Sequence, residues 1–204
     1  VTTILLGHYL DWFDEIPEVA ESPGLVGNFG LIRPYKGVPE LVSAARSSQD
    51  PNLHLIVMGE PANAGLEREI RDLAGNDSRI TLNLEHVDDT TLAAEIRRCS
   101  LIALPHRNMH NSSSLLLALS LDRPTLVPNT PVTRQIQAEV GSQWVYLYDE
   151  LDAATLEDVL TQVAQTRREE HPDLSSRDWT NVAISHAEVF ERAISTATSG
   201  ISHP

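Results

Sequence analysis

The stretch SLIALPHRNMHNSSSLLLALSLDRPTLVP, Ser100–Pro128, decides how the chain is read. Leu101–Leu104 and Thr125–Val127 are short apolar runs suited to buried strands. Between them lie a polar loop and a helical run that begins near Leu115–Leu117. The loop carries Arg107 and His110 and ends in Asn111, Ser112, Ser113 and Ser114. Serine and asparagine cap helix starts by accepting hydrogen bonds from unpaired backbone N–H groups. The same N–H groups, with the positive end of the helix dipole, make such a start a ready anion site. The segment therefore predicts either an ordinary capped helix in an α/β core or a turn built to hold phosphate.

Outward from this stretch, further strand-like runs occur at Leu25–Ile32, Leu53–Met58, Ile80–Leu84 and Trp144–Tyr148. Helical patterns fall between them: about Val38–Arg46, Ala64–Leu73, and from a cap at Asp88 or Asp89 through Cys99. A short helix ending at Gly141, an amphipathic one over Thr155–Arg168 and a last one over Trp179–Ile194, capped by Asp178, complete the set. Val1–Leu6 is one more β-rich run, and HYLDWFDEIPEVAESPG after it reads as a connection. Short apolar strands alternating with helices predict an α/β fold: a doubly wound, Rossmann-like parallel sheet of about six strands with helices on both faces. The expected division is a linker over 1–24, the α/β domain over 25–195 and a frayed tail over 196–204.

Composition narrows the function classes. The 204 residues carry a formal net charge of −14, which excludes a broad basic face for nucleic acid. Cys99 is the single cysteine, so neither an intrachain disulfide nor a cysteine-cluster metal site is expected. His86, His106 and His110 lack the spacing of a helix-borne metal motif, and no metal is expected. There is no apolar run long enough for a transmembrane segment. Neither a P-loop nor a G-x-S-x-G nucleophile motif occurs. The chain opens VTTILLG, without methionine or a cationic signal-peptide start, and is expected to be part of a longer protein.

The common doubly wound order is 3-2-1-4-5-6, with ligands beyond the strand carboxyl ends where the order reverses, between strands one and four. The loop Arg33–Gly37, RPYKG, follows the first strand, and Arg107–Ser114 follows the fourth. That order brings Arg33, Lys36 and Arg107 around one helix start rich in N–H donors. A phosphate pocket is expected there; the alternative leaves Arg33 and Lys36 on a solvated loop. Glu60, after the glycine that ends the second strand, is placed either to reach a ribose or base or to sit in a solvated turn. Thr130 and Thr133, after the fifth strand, are candidates for sugar or phosphate contacts.

These residues resemble a known family. FGLIRPYKGVPELVSAA (Phe29–Ala45) resembles the start of the donor-binding domain of GT-B glycosyltransferases of the GT4-like group. LHLIVMGEP (Leu53–Pro61) is similar to that domain's second strand, and LAAEIRRCSLIALP, within Asp88–Pro105, to the segment placing the fourth. SSLLLALSLDRPTLVP (Ser113–Pro128) resembles the helix and strand where typical members read like LLEAMACGVPVVA. Trp179–Ala193 resembles the helix that crosses back to the partner domain, and His8–Tyr9 the linker of one branch. By this resemblance Lys36 contacts the donor diphosphate, and Gly30 belongs to the glycine-rich strand end. The group's arginine is replaced by Leu31, with Arg33 as its substitute. The group's two glutamates, near sugar and ribose, fall at Met109 and Leu117, neither of which accepts a hydrogen bond from a hydroxyl as a carboxylate does.

The resemblance implies a glycosyltransferase half that binds a nucleoside diphosphate sugar as donor substrate, with no cofactor and no metal. Arg33 and Lys36 are the expected catalytic cations. Gly30, Glu60, Arg107, His110, Asn111, Ser112–Ser114 and Thr130 are the expected donor contacts. Transfer to a glycan or lipid-linked acceptor in polysaccharide assembly, with retention of configuration, is implied as well. So is a missing amino-terminal acceptor domain, through which a cytoplasmic protein would touch the membrane peripherally. Two other classes stay open: a flavodoxin-like or receiver-like regulatory module, and a degenerate glycosyltransferase half kept for binding.

Overall fold

The computed structural model describes residues 4–13, 18–106 and 113–199, with side chains through 195. One sheet is built from β1 (Ser22–Phe29), β2 (His54–Met58), β3 (Ile80–Asn83), β4 (Cys99–Ala103), β5 (Thr125–Pro128) and β6 (Val145–Tyr148). Its order is β3-β2-β1-β4-β5-β6, and every pairing is parallel. The helices are α1 (Val38–Ser47), α2 (Ala64–Ala74), α3 (Asp89–Arg98), α4 (Ser113–Ser120), α5 (Pro131–Val140), α6 (Ala153–Gln165) and α7 (Trp179–Ser199). The chain is thus a doubly wound α/β fold of the expected order.

Both faces of the sheet are covered. On one, Leu41 of α1, Ile70 of α2 and Leu160 of α6 close over Val26 and Val57. On the other, Ile96 of α3, Leu119 of α4 and Ile136 of α5 close over Phe29 and Ile102. A strand buried on both sides has no polar face, which is why all of β4 is buried and its sequence does not alternate.

Several boundaries differ from the sequence reading. β1 starts at Ser22, already in register with Cys99, and ends at Phe29 because Gly30 turns to φ +96°, outside the extended region. Residues 4–6 of the expected β-rich opening form no strand. Asp88, not Asp89, caps α3, its carboxylate accepting from the Thr91 N–H at 3.0 Å. β4 starts at Cys99, where the sequence reading still had helix, and α7 continues past Ile194 to Ser199.

The opening segment is held by the turn before α7. The Arg177 side chain is buried and makes a bidentate pair with Glu139, Nε and Nη2 donating to its two oxygens at 2.8 and 2.7 Å. Its Nη1 donates to the Leu6 carbonyl at 3.1 Å, while its own carbonyl accepts from the His8 N–H at 3.0 Å. Trp179 Nε1 donates to the His8 carbonyl at 2.9 Å, and the Tyr9 N–H donates to Ser120 Oγ at 2.9 Å. Removing one partner of a buried pair strands the other charge. Arg177→Ala is expected to destabilise the fold by about 3 kcal/mol, with Glu139 partly solvated, read from urea unfolding midpoints.

Candidate functional site

The two central strands are tied by side chains as well as by their ladder. Asn28, buried on β1, donates from Nδ2 to the Ala103 carbonyl at 2.7 Å, and Ser100 Oγ donates to the Leu25 carbonyl at 3.1 Å. Both polar groups are satisfied inside the core, and they fix the heights at which the two loops leave the sheet.

After β1 the chain turns through Arg33 and a short 3-10 turn, Pro34–Lys36, closed by the Lys36 N–H donating to the Arg33 carbonyl at 2.9 Å. Gly37 follows at φ +67°, and a Cβ there would lie 2.3 Å from the carbonyl oxygen of Pro105, just beyond β4. Only glycine permits this contact, and it presses the RPYKG loop against the exit of the fourth strand. The Lys36 side chain turns back toward Gly30. A Cβ at Gly30 would meet Lys36 Nζ at 3.6 Å and Ser114 Oγ, from the first turn of α4, at 3.9 Å. Lysine and helix start therefore flank one point at the strand carboxyl ends.

They open on a cavity of about 370 Å³. Its polar wall is Gly30, Lys36, Ser113 and Ser114, and its apolar wall includes Phe29, Leu92 and Leu117. Tyr9, Trp12 and Phe13 of the opening segment close one side, with Tyr9 and Trp12 in an edge-on aromatic pair, and Asp89 stands at the start of α3. First-turn amides of a helix have no intrahelical acceptor. With a lysine beside them and low-dielectric walls around, such donors bind an anion better than they do in open water.

Burial, and then the Arg33 charge, hold the Lys36 pKa below the usual lysine range. His106, just past β4, is buried, and burial with the Lys36 charge lowers it to about 4. Its Nε2 has no hydrogen-bond partner among the described residues. Burial pushes the Cys99 thiol up to about 12, which removes it as a nucleophile.

Lys36, Gly30, Ser113 and Ser114 are thus brought together. Arg33 is half-buried and close enough to act on Lys36 electrostatically, but it is not part of the cavity wall. Glu60 is exposed and takes part through its backbone, its carbonyl accepting from the Ile32 N–H at 2.9 Å. Thr130 caps α5, its hydroxyl accepting from the Thr133 N–H at 3.2 Å, and neither threonine lines the cavity. Arg107, Met109, His110, Asn111 and Ser112 lie outside the described residues. The aromatic side of the cavity was not foreseen, although three aromatics within Tyr9–Phe13 were a visible signal in a segment read as mere connection.

A histidine neutral in the fold and ordinary when unfolded makes stability depend on pH. Between about 4 and 6.5 the unfolded chain binds the extra proton, so stability rises with pH across that window and is lost as pH falls through it. The contribution is on the order of 3 kcal/mol. His106→Phe should flatten this dependence in urea unfolding series between pH 4 and pH 7.

No protein-family model matches the chain. It is 44% identical over 193 residues to a GDP-mannose:glycolipid 4-beta-D-mannosyltransferase of Xanthomonas campestris pv. campestris, which takes in 94% of this chain and 55% of that protein. The chain thus spans about half the length of the curated relatives it matches. Among solved structures, a sucrose-phosphate synthase from Thermosynechococcus elongatus superposes with a TM-score of 0.68 at 17% identity, covering 95% of this chain and 52% of that one. Anabaena HepE, solved with UDP and glucose, gives 0.62 at 16% identity over 85% of this chain and 49% of that one. The C-terminal domain of a group 1 glycosyl transferase (LpcC) from Francisella tularensis gives 0.56 at 19% identity over 72% and 77%. The chain therefore has the Rossmann-like fold of one half of the GT-B glycosyltransferases and is, over nearly all its residues, a relative of a GDP-mannose-dependent mannosyltransferase.

Proposed function

We propose that this chain is the donor-binding half of a glycosyltransferase that moves mannose from GDP-mannose to a glycolipid acceptor. The observation that carries the reading is the pairing of Lys36 with the first turn of α4 across Gly30, in a chain 44% identical to a protein named for that transfer. In this reading the elements from β1 at Ser22 onward form the nucleotide-sugar domain, and the residues before it, fewer than the 1–24 expected from the sequence, are the linker to an amino-terminal acceptor half. The exposed apolar side chains of α7, Phe190 and Ile194, fit a contact with that half. No helix among the described residues is long and apolar enough to cross a membrane. A glycolipid acceptor would then be met at the membrane surface through the amino-terminal half.

When the bond between sugar and diphosphate breaks, negative charge builds on the leaving phosphate oxygen. Lys36 and the amides at Ser113 and Ser114 are positioned to offset that charge without reorganising, and Arg33 adds its field from outside the wall. Charge-assisted hydrogen bonds to a preorganised anion are the strong ones. Family resemblance implies retention of configuration. The relative's name favours the opposite, since a β-mannoside made from a donor with α-linked mannose requires inversion.

The second reading is a degenerate half that binds donor without transferring it. It is favoured by Leu117 in the cavity wall, where the family carries a glutamate.

Calorimetric titration tests donor binding. GDP is expected to bind more tightly than UDP, and Lys36→Ala to weaken GDP by roughly 10- to 100-fold, the worth of one charged hydrogen bond. Equal affinities, or an unchanged Lys36→Ala, would overturn the assignment. Transfer by the full-length protein then separates the remaining readings by the anomer of its first product. A β-mannoside reports inversion and an α-mannoside retention; GDP binding without transfer reports the degenerate half.

A further inference from the structure

The cavity beside Lys36 is not suited to an anion throughout. Among the described residues its wall holds one carboxylate, Asp89, the first residue of α3. A bare carboxylate set against a diphosphate would repel it. Asp89 instead matches a neutral part of a ligand that donates hydrogen bonds. The acid before it has a different task. Asp88 is consumed by the helix, its two carboxylate oxygens accepting from the Thr91 N–H at 3.0 Å and the Thr91 hydroxyl at 2.7 Å. The cap of α3 is thus complete without Asp89, whose side chain is exposed and takes no hydrogen bond or ion pair among the described residues.

The polarity of the cavity is divided between two helix starts. α3 and α4 pack on the same face of the sheet, and both begin at the strand carboxyl ends, α3 after β3 and α4 after β4. α4 brings Ser113 and Ser114 beside Lys36, and α3 brings Asp89. One turn further along each helix, Leu117 and Leu92 face the same space and give it an apolar wall. A nucleoside diphosphate is divided in the same way, with an anionic diphosphate at one end and a flat base at the other. Placing the diphosphate at Lys36 and α4 leaves the apolar wall for the faces of the base and Asp89 for its edge.

The common bases differ in what that edge presents. Guanine carries two adjacent donors, the ring N1–H and the exocyclic 2-amino group, and the two oxygens of a carboxylate match them. Uracil carries a single N–H between two carbonyls. Adenine and cytosine place an acceptor nitrogen beside their amino group, so a carboxylate would meet a lone pair. We infer that Asp89 sets the base preference of the donor cavity, its carboxylate accepting from the N1–H and 2-amino group of guanine. The inference rests on the donor-binding reading above and adds to it the residue that separates GDP from other nucleotides.

The test is calorimetric titration of the chain with GDP and with inosine diphosphate, which lacks only the 2-amino group. The unaltered chain is expected to bind GDP about tenfold more tightly, the worth of one charge-assisted hydrogen bond. Asp89→Asn should weaken GDP by about that factor and bring the two nucleotides within about twofold of each other. Asp89→Glu, which keeps the carboxylate, should keep the preference for GDP. Lys36→Ala should weaken both nucleotides by the same factor and leave their ratio unchanged. A carboxylate that only complements the α3 dipole would shift the urea unfolding midpoint in Asp89→Asn and leave the ratio as it was. That ratio unmoved in Asp89→Asn, or equal binding of both nucleotides by the unaltered chain, would overturn the role of Asp89 while Lys36-dependent GDP binding still upheld the donor reading. Absence of binding by either nucleotide would overturn both.

Discussion

Everything that positions the candidate site depends on two backbones meeting where the strand order reverses. Gly37 lies so close to the Pro105 carbonyl that no side chain fits between them. This contact converts a sheet order into a chemical neighbourhood. It brings the loop after β1 against the exit of β4, and so sets Lys36 beside the serines that open α4. The polar bonds from Asn28 and Ser100 act at the same seam, holding β1 and β4 at fixed heights inside a core that otherwise has no polar face.

The electrostatic character of the site follows from that packing. A lysine on an open loop would carry an ordinary ammonium, screened by water and counter-ions. Here burial, with Arg33 nearby, makes the charge costly, and a bound anion would relieve the cost. His106 is pushed the other way from adding a cation, because burial and Lys36 together keep its ring neutral. A chain of net charge −14 thus keeps a local positive centre at one helix start. The opening segment completes the enclosure through Tyr9, Trp12 and Phe13, and Arg177 holds that segment down from beneath.

The sheet order was legible because most strands are short and apolar, β2, β4 and β5 being buried nearly throughout, and each crossover is helical, which leaves few right-handed arrangements. Lys36 and the serine turn were legible for the same reason: loops after strands one and four must meet in that order. What could not be read were features set by tertiary contact. Thr130 looks like a ligand residue in sequence, yet its hydroxyl is taken by its own helix cap. Residues 4–6 have strand-like chemistry but pair with no strand, and the Leu6 carbonyl accepts from Arg177 instead. The aromatics of Tyr9–Phe13 sit in a segment whose acids and prolines signal a connection, and it is long-range bonds, from Tyr9 to Ser120 and from Trp179 to His8 among them, that hold them at the cavity.

The most direct measurement is a structure of this chain with GDP bound. The account predicts the diphosphate beside Gly30, within hydrogen-bond reach of Lys36 Nζ and of the backbone amides at Ser113 and Ser114. A diphosphate bound elsewhere, with Lys36 still facing an unoccupied helix start, would contradict it.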